Sequence, residues 1–220
     1  YINFKFNIRF DLIKNFIKKI ILFFKKNYSK NYYSNNNKIK LLCEGEQHPN
    51  MKNDGNRSDF FWVFDSNFPK KNILYNLKYF HFVDNLMKEG INYSYEYFNN
   101  INKKNLNIDL INDSFSNFNS DFETKVINKK ISLFNSKKID WYNYYKYFNV
   151  KILFDWQKYD ENNFVKYEAL NDLGGISTFW QMAFDGFNSY ECKFITDVNF
   201  TFSKFSAENE LKNNSIFKYQ

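Results

Sequence analysis

The sequence is poor in arginine, cysteine, glycine and proline. Only Arg9 and Arg57 are arginines, although the net charge is +7, so almost all of the positive charge comes from lysine. Because arginine is the preferred reader of phosphates and base edges, its shortage argues against sequence-specific nucleic-acid binding. The two cysteines, Cys43 and Cys192, have neither metal-type nor C-x-x-C spacing. We therefore interpret both as buried free thiols.

Motifs that define several enzyme classes are also missing. There is no G-x-G-x-x-G or Walker-type phosphate loop, and no G-x-S-x-G nucleophile elbow. The histidines are His48 and His81. Of these, His48 is the better candidate for a binding or general-base role, because it lies close to Glu44 and Glu46. A strand-like path would bring these three residues to one face as a divalent-ion site, but Pro49 interrupts the element, and we predict no metal site.

Phenylalanine, tyrosine, asparagine and lysine are abundant instead, with 28 Phe and 17 Tyr among 220 residues. AT-rich codons encode these residue types, so the base composition of the gene is the simplest explanation of the aromatic content. Hydrophobic residues make up 44% of the chain, which is enough for one sizeable core. The chain begins with Tyr1 and ends at Gln220, and we expect it to be a fragment of a longer polypeptide.

Residues 1–37 are predicted to contain a basic amphipathic helix at 10–26, followed by a polar linker. Apolar residues in this helix follow the i, i+3, i+4 pattern and lysines flank them. The apolar run is too short to span a bilayer. Two interpretations stay open: the helix packs on the protein's own sheet, or it lies on an anionic membrane surface.

Residues 38–220 are predicted to form one α/β domain with a Rossmann-like, mostly parallel sheet flanked by helices, because strands and helices alternate along the chain. The predicted strands are 38–44, 72–80, 91–97, 150–155, 194–202 and 215–219. The predicted helices are 83–89, which Gly90 closes, 122–134, 140–148 with a cap at Asp140, 164–170, and one that Ser206 caps.

Loops at the carboxyl ends of parallel strands are expected to line a ligand cleft. We assign residues 44–57, the loop after Asp155, and residues 174–181 to this cleft. The Gly174-Gly175 pair permits a tight turn and a close approach of the backbone to a ligand. Trp180 is suited to stack on a sugar ring and Gln181 to bind its hydroxyls. The alternatives are a plain loop for the glycine pair and core packing for Trp180.

Several short motifs in a fixed order resemble bacterial surface-carbohydrate biosynthesis proteins. They are Ser58-Asp59-Phe60-Phe61-Trp62, Asp65-Ser66-Asn67-Phe68-Pro69, Ile73-Leu74-Tyr75, Gly174-Gly175-Ile176, Trp180-Gln181, and the run from Asp197 to Lys204 with the helix after it. Residues 38–220 as a whole look like the N-terminal half of a two-domain GT-B glycosyltransferase.

The resemblance implies an acceptor-side domain that binds a carbohydrate or lipid-linked acceptor at the cytoplasmic face of the inner membrane. The nucleotide-sugar donor would bind a second domain, so no cofactor and no nucleic-acid partner is expected here. The candidate substrate-binding residues are Glu44, His48, Asp59, Gly174, Gly175, Trp180 and Gln181. The rival hypothesis is a non-catalytic binding or scaffold module at a membrane surface.

Overall fold

A computed structural model describes residues 40–44, 67–77, 83–95, 108–111, 121–155, 162–180 and 193–220. All of them fall within one compact unit, Asn37–Gln220. The helix predicted at 10–26 and His81 lie outside the described residues. So does Cys192, whereas Cys43 is buried as predicted and forms no disulfide with a described residue.

The described strands form a six-stranded sheet in which all neighbours are parallel. The strands are β1 (Lys40–Glu44), β2 (Ile73–Leu77), β3 (Asn92–Tyr95), β4 (Val150–Asp155), β5 (Ile176–Trp180) and β6 (Val198–Phe200). The helices are α1 (Val83–Lys88), α2 (Asp121–Phe148), α3 (Asn162–Asn171) and α4 (Lys204–Lys212), and a 3-10 turn spans Lys70–Asn72. The Rossmann-like α/β fold predicted from the alternation is confirmed.

The spatial order of the strands is β3-β2-β1-β4-β5-β6. From β1, strands β2 and β3 extend the sheet in one direction, and β4, β5 and β6 extend it in the other. This order is that of the doubly wound dinucleotide-binding folds. The reversal lies between β1 and β4, which pair with each other. In such sheets the reversal opens a crevice at the carboxyl ends of the two strands.

Helices cover both faces of the sheet, because alternate residues of buried parallel strands point to opposite sides. On one face, α1 packs on a cluster that includes Leu41, Cys43, Ile73, Tyr75, Val83, Leu86, Ile91 and Tyr93. On the other face, α2 and α3 pack on Leu42, Leu74, Val150 and Leu153 through Trp141, Tyr142, Tyr144, Tyr145, Val165, Ala169 and Leu170. Helices that connect strands on either side of a reversal fall on opposite faces when the crossovers are right-handed.

The region predicted as two helices, 122–134 and 140–148, is a single helix of 28 residues, α2. The prediction was wrong because Asp140 was interpreted as a cap, although no glycine or proline interrupts the segment. Contacts across the predicted break hold the helix in place: the Lys138 ammonium lies 3.0 Å from the carboxylate of Asp172 and donates to the Asp109 carbonyl at 2.8 Å. The helix ends at Asn149, whose φ of 53° is tolerated by asparagine.

The last helix begins earlier than predicted. Its N-cap is Ser203, whose hydroxyl accepts a hydrogen bond from the Ser206 amide at 3.2 Å, so Ser206 lies inside α4. The segment predicted as a strand at 215–219 makes two isolated parallel bridges, Ile195 to Ile216 and Val198 to Tyr219. By contrast, β4 has the predicted bounds, and Gly90, with a φ of 71°, follows α1 as predicted.

Candidate ligand-binding site

Near the carboxyl ends of four adjacent strands, polar residues occupy positions that are paired from strand to strand. Asn76 of β2 is paired with Glu44 of β1 and with Ser94 of β3. Asp155 ends β4 and directly follows Phe154, the partner of Cys43 in β1. Paired residues of parallel strands share a face. We refer to Ser94, Asn76, Glu44 and Asp155 as the polar row; it crosses the point where the strand order reverses.

The described side chains of the polar row, those of Asn76, Ser94 and Asp155, lie on the face that α2 and α3 cover. Leu42 and Leu74, two residues before Glu44 and Asn76, lie in the core cluster under these helices. Asn76, Ser94 and Asp155 are 3%, 6% and 2% exposed. Burial of polar groups is costly unless they are hydrogen-bonded or paired, so their presence in an otherwise apolar sheet requires specific partners.

Two of these partners come from the helices. The Ser94 hydroxyl is hydrogen-bonded to the Tyr144 hydroxyl of α2. The Asp155 carboxylate lies 3.3 Å from the ammonium of Lys166 in α3. That ammonium is also 5.3 Å from the centre of the Trp141 ring, where the negative face of the aromatic system attracts it. Thus α2 supplies the hydroxyl that bonds to Ser94, and α3 supplies the ammonium that pairs with Asp155, both below the crevice.

The paired positions continue across β5 and β6. Asp155 is paired with Phe179, and Phe179 with Asn199. Asn199 is 1% exposed, and among the described residues neither its side-chain oxygen nor its side-chain nitrogen has a hydrogen-bond partner. An unpaired buried amide costs free energy. Asn199 therefore adds a buried amide with unused donors and an unused acceptor to this end of the sheet.

An aromatic patch lies at the same edge of the sheet but on the opposite face. Trp180, the last residue of β5, is paired with Phe200 of β6 and is partly buried. Its ring is centred 6.2 Å from that of Phe154, which packs against the core cluster under α1. Phe200 is 51% exposed. Trp180 is therefore partly exposed beside Phe200 at the carboxyl ends of β5 and β6, and its role in stacking on a sugar stays a prediction.

The glycine pair lies where the strands begin, at the opposite end of the sheet from their carboxyl ends. Gly174 and Gly175 are in the turn between α3 and β5, so the whole length of β5 separates them from the carboxyl edge. The expectation that residues 174–181 form a cleft loop is corrected, since 176–180 are strand. Gly174 has a φ of 63°, and a Cβ at Gly175 would lie 2.5 Å from the Leu170 Cδ1 atom. The left-handed backbone explains Gly174, and close packing explains Gly175.

The remaining predicted site residues divide into two groups. The register pairs Glu44 with Asn76 at the carboxyl end of β1, and the role of Glu44 in ligand binding stays a prediction. His48, Asp59 and Gln181 lie outside the described residues, so their assignment stays a prediction. Within the described ranges, no three histidine, cysteine, aspartate or glutamate side chains are grouped as metal ligands would be.

Sequence analysis missed Asn76, Ser94, Tyr144 and Lys166. The sequence does contain a signal for Asn76, because it is the single polar residue in the apolar strand Ile73–Leu77. Lysine in a helix normally indicates a solvated face, and nothing in the sequence shows that Lys166 is buried against Asp155.

In the described part of the chain, no helix is both long enough and apolar enough to cross a bilayer. No protein-family model matches the chain, and neither a curated protein nor a solved structure shows significant similarity to it.

Proposed function

We propose that this domain binds a carbohydrate acceptor at the carboxyl edge of its sheet, as the acceptor-side part of a glycosyltransferase-like protein in surface-polysaccharide biosynthesis. The observation that carries the proposal is the polar row, which crosses the reversal of strand order between β1 and β4. Open parallel sheets bind their ligands at this position.

The chemistry of the edge suits a polyhydroxylated ligand. The amides of Asn76 and Asn199 and the carboxylate of Asp155 belong to groups that bind sugar hydroxyls as donors and acceptors. Sugars also have apolar ring faces, and the aromatic patch supplies Trp180 and Phe200 at the same edge, on the opposite face of the sheet from the polar row. Selective sites combine apolar contact area with a few placed polar groups in this way.

The ion pair between Asp155 and Lys166 places two opposite charges at fixed positions near the carboxyl ends of the strands. The Trp141 ring contacts the Lys166 ammonium, and that ammonium holds the Asp155 side chain, so the carboxylate is oriented before any ligand arrives. A pre-oriented group loses little conformational freedom on binding, which favours affinity and selectivity. The nucleotide-sugar donor would bind a second domain, and the domain itself would need no cofactor.

Ligand-observed NMR with a panel of neutral and acidic oligosaccharides tests the proposal. We expect saturation transfer from this chain to at least one saccharide and none to nucleotide-sugars. Trp180→Ala is expected to lower saccharide affinity by roughly tenfold, because stacking on an aromatic ring supplies much of the apolar contact. Phe122→Ala is the matched control, since Phe122 is 74% exposed and lies in α2. Tight binding of a nucleotide-sugar without saccharide binding would refute the proposal.

The second candidate function is a non-catalytic module that binds a membrane surface, which the predicted basic amphipathic helix at 10–26 favours. Vesicle co-sedimentation should then weaken as salt is added, because salt screens exposed charges. Unchanged sedimentation after deletion of residues 1–30 would exclude this helix as the membrane contact. Peripheral attachment at the cytoplasmic face would be compatible with a lipid-linked acceptor.

A further inference from the structure

The first half of α2 carries an exposed apolar stripe. Phe122, Val126 and Leu133 are 74%, 41% and 47% exposed. At 3.6 residues per turn, these three positions fall within an arc of about 40° around the helix. Large apolar side chains that share one exposed stripe indicate a contact surface, whereas single exposed ones do not.

Lysines surround this stripe, and acidic residues are excluded from it. Between Glu123 and Asp140 the sequence contains five lysines and neither aspartate nor glutamate. Lys129 lies about 20° outside this arc, and Lys125 and Lys130 lie further out on either side of it. These three are exposed, and none forms an ion pair with a described residue. We call the six residues the basic stripe: Phe122, Lys125, Val126, Lys129, Lys130 and Leu133.

The opposite side of the helix is anchored to the domain. Lys138 is 3% exposed and is paired with Asp172, the residue that follows α3. Asn135 exchanges hydrogen bonds with the backbone of Ile111, at 3.2 Å to the amide and 3.0 Å to the carbonyl. The basic stripe is therefore presented by a preformed helix and does not depend on a segment that folds on contact.

We infer that the basic stripe binds the surface of an anionic phospholipid bilayer. Helices that lie in a membrane interface combine bulky apolar residues on one side with lysines beside them, whose long stems reach back to the headgroups. Charge complementarity selects the anionic bilayer, since the stripe is wholly basic. The inference is independent of the proposed carbohydrate site, because it concerns another element.

Co-sedimentation of the full chain with vesicles tests this inference. Binding is expected to phosphatidylcholine vesicles that contain phosphatidylglycerol, and not to phosphatidylcholine alone. Lys129→Gln/Lys130→Gln should lower the partition coefficient by on the order of tenfold, as expected for two basic residues near an anionic surface. Leu133→Ser should lower it by roughly tenfold through lost apolar insertion.

Matched controls come from α1 and α4. Lys88→Gln/Lys212→Gln removes the same charge from two other exposed helix ends, and Leu211→Ser alters a leucine that is 54% exposed. Circular dichroism verifies that every variant is folded. If the stripe variants and the controls bind equally well, the contact lies elsewhere and the inference fails. Retention on an acidic protein without vesicle binding would also overturn it.

Discussion

Asp155 and Lys166 form an ion pair with a separation of 3.3 Å, and their side chains are only 3% and 5% exposed. The pair joins the last residue of β4 to α3 at the edge where the strand order reverses. A buried pair of this kind stabilises the fold only while both charges are present, because a charge left alone in the core keeps its full desolvation cost. The candidate site is thus coupled to the stability of the domain.

Replacement of one partner of this ion pair should therefore strongly lower the stability of the protein. Lys166→Met is expected to lower the free energy of unfolding by about 3–5 kcal/mol, since it leaves the Asp155 carboxylate buried without its ammonium partner. The double variant Asp155→Leu/Lys166→Met should recover most of this loss. Urea denaturation of the two single variants and the double variant measures both effects.

A surface pair provides the control. Lys70 and Glu89 are 2.6 Å apart, but their side chains are 38% and 32% exposed. Lys70→Met should cost less than about 1 kcal/mol, because solvent screens exposed pairs. Equal costs for Lys70→Met and Lys166→Met would show that burial does not govern the Asp155 pair.

The turn before β5 should not tolerate a side chain at Gly175. An added Cβ would lie 2.5 Å and 2.7 Å from two carbon atoms of Leu170 and 3.0 Å from the Lys151 carbonyl oxygen. Gly175→Ala is expected to destabilise the protein by about 1–3 kcal/mol through overpacking. Thermal or urea unfolding measures the loss.

A second substitution separates overpacking from other causes. In the Gly175→Ala background, Leu170→Ala removes the clashing atoms, so the double variant should be more stable than the sum of the single effects predicts. Gly90→Ala is the matched control for backbone strain alone, because Gly90 has a φ of 71° with no atom near its added Cβ. Strict additivity of the Gly175 and Leu170 effects would contradict the steric explanation.

Much of the fold was predictable because its signals are local. The strand Val150–Asp155 is a short apolar run of β-branched and aromatic residues, and Gly90 marks the end of α1 through its left-handed conformation. Alternation of such runs with helices predicts a parallel sheet without any knowledge of the strand order.

The candidate site was less predictable because it depends on long-range register. Asn76, Glu44 and Ser94 become neighbours only when β1, β2 and β3 pair in one register, and the sequence does not state that register. Likewise, Lys138 lies at the predicted break of α2 and is held there by a contact with Asp172, far along the chain. Trp180 could be proposed from the sequence because an aromatic residue next to an amide, Gln181, suits carbohydrate, and its role stays a prediction.

The start of α4 depends on a single hydroxyl. Ser203→Ala removes the acceptor of the Ser206 amide and should destabilise the protein by about 1 kcal/mol, as is typical for the loss of an N-cap. Ser203→Asp should retain the stability, because aspartate is an equally good cap. Unfolding by urea, followed by circular dichroism, compares the variants. A larger loss for Ser203→Asp than for Ser203→Ala would exclude capping as the role of this residue.

The contact between Lys218 and Asp197 should make stability depend on alkaline pH. The Lys218 ammonium lies 2.7 Å from the Asp197 carboxylate, whose other oxygen accepts the Ser177 amide at 2.8 Å. The hydrogen bond and the charge of Asp197 raise the pKa of Lys218 above its ordinary value of 10.5. Because the folded state binds this proton more tightly than the unfolded state, the stabilisation is complete below pH 10.5 and is lost as the pH rises through the raised pKa.

The free energy of unfolding of the wild type and of Lys218→Met measures this contribution at a series of pH values. We expect a constant difference from neutral pH up to the ordinary pKa and a decline above it. The Lys218 side chain is 58% exposed, so the difference should be small and should shrink further as salt is added. Lys212→Met, at an exposed position of α4, should show no such decline. A difference that grows with pH would reverse the sign of the linkage and refute the role assigned to Asp197.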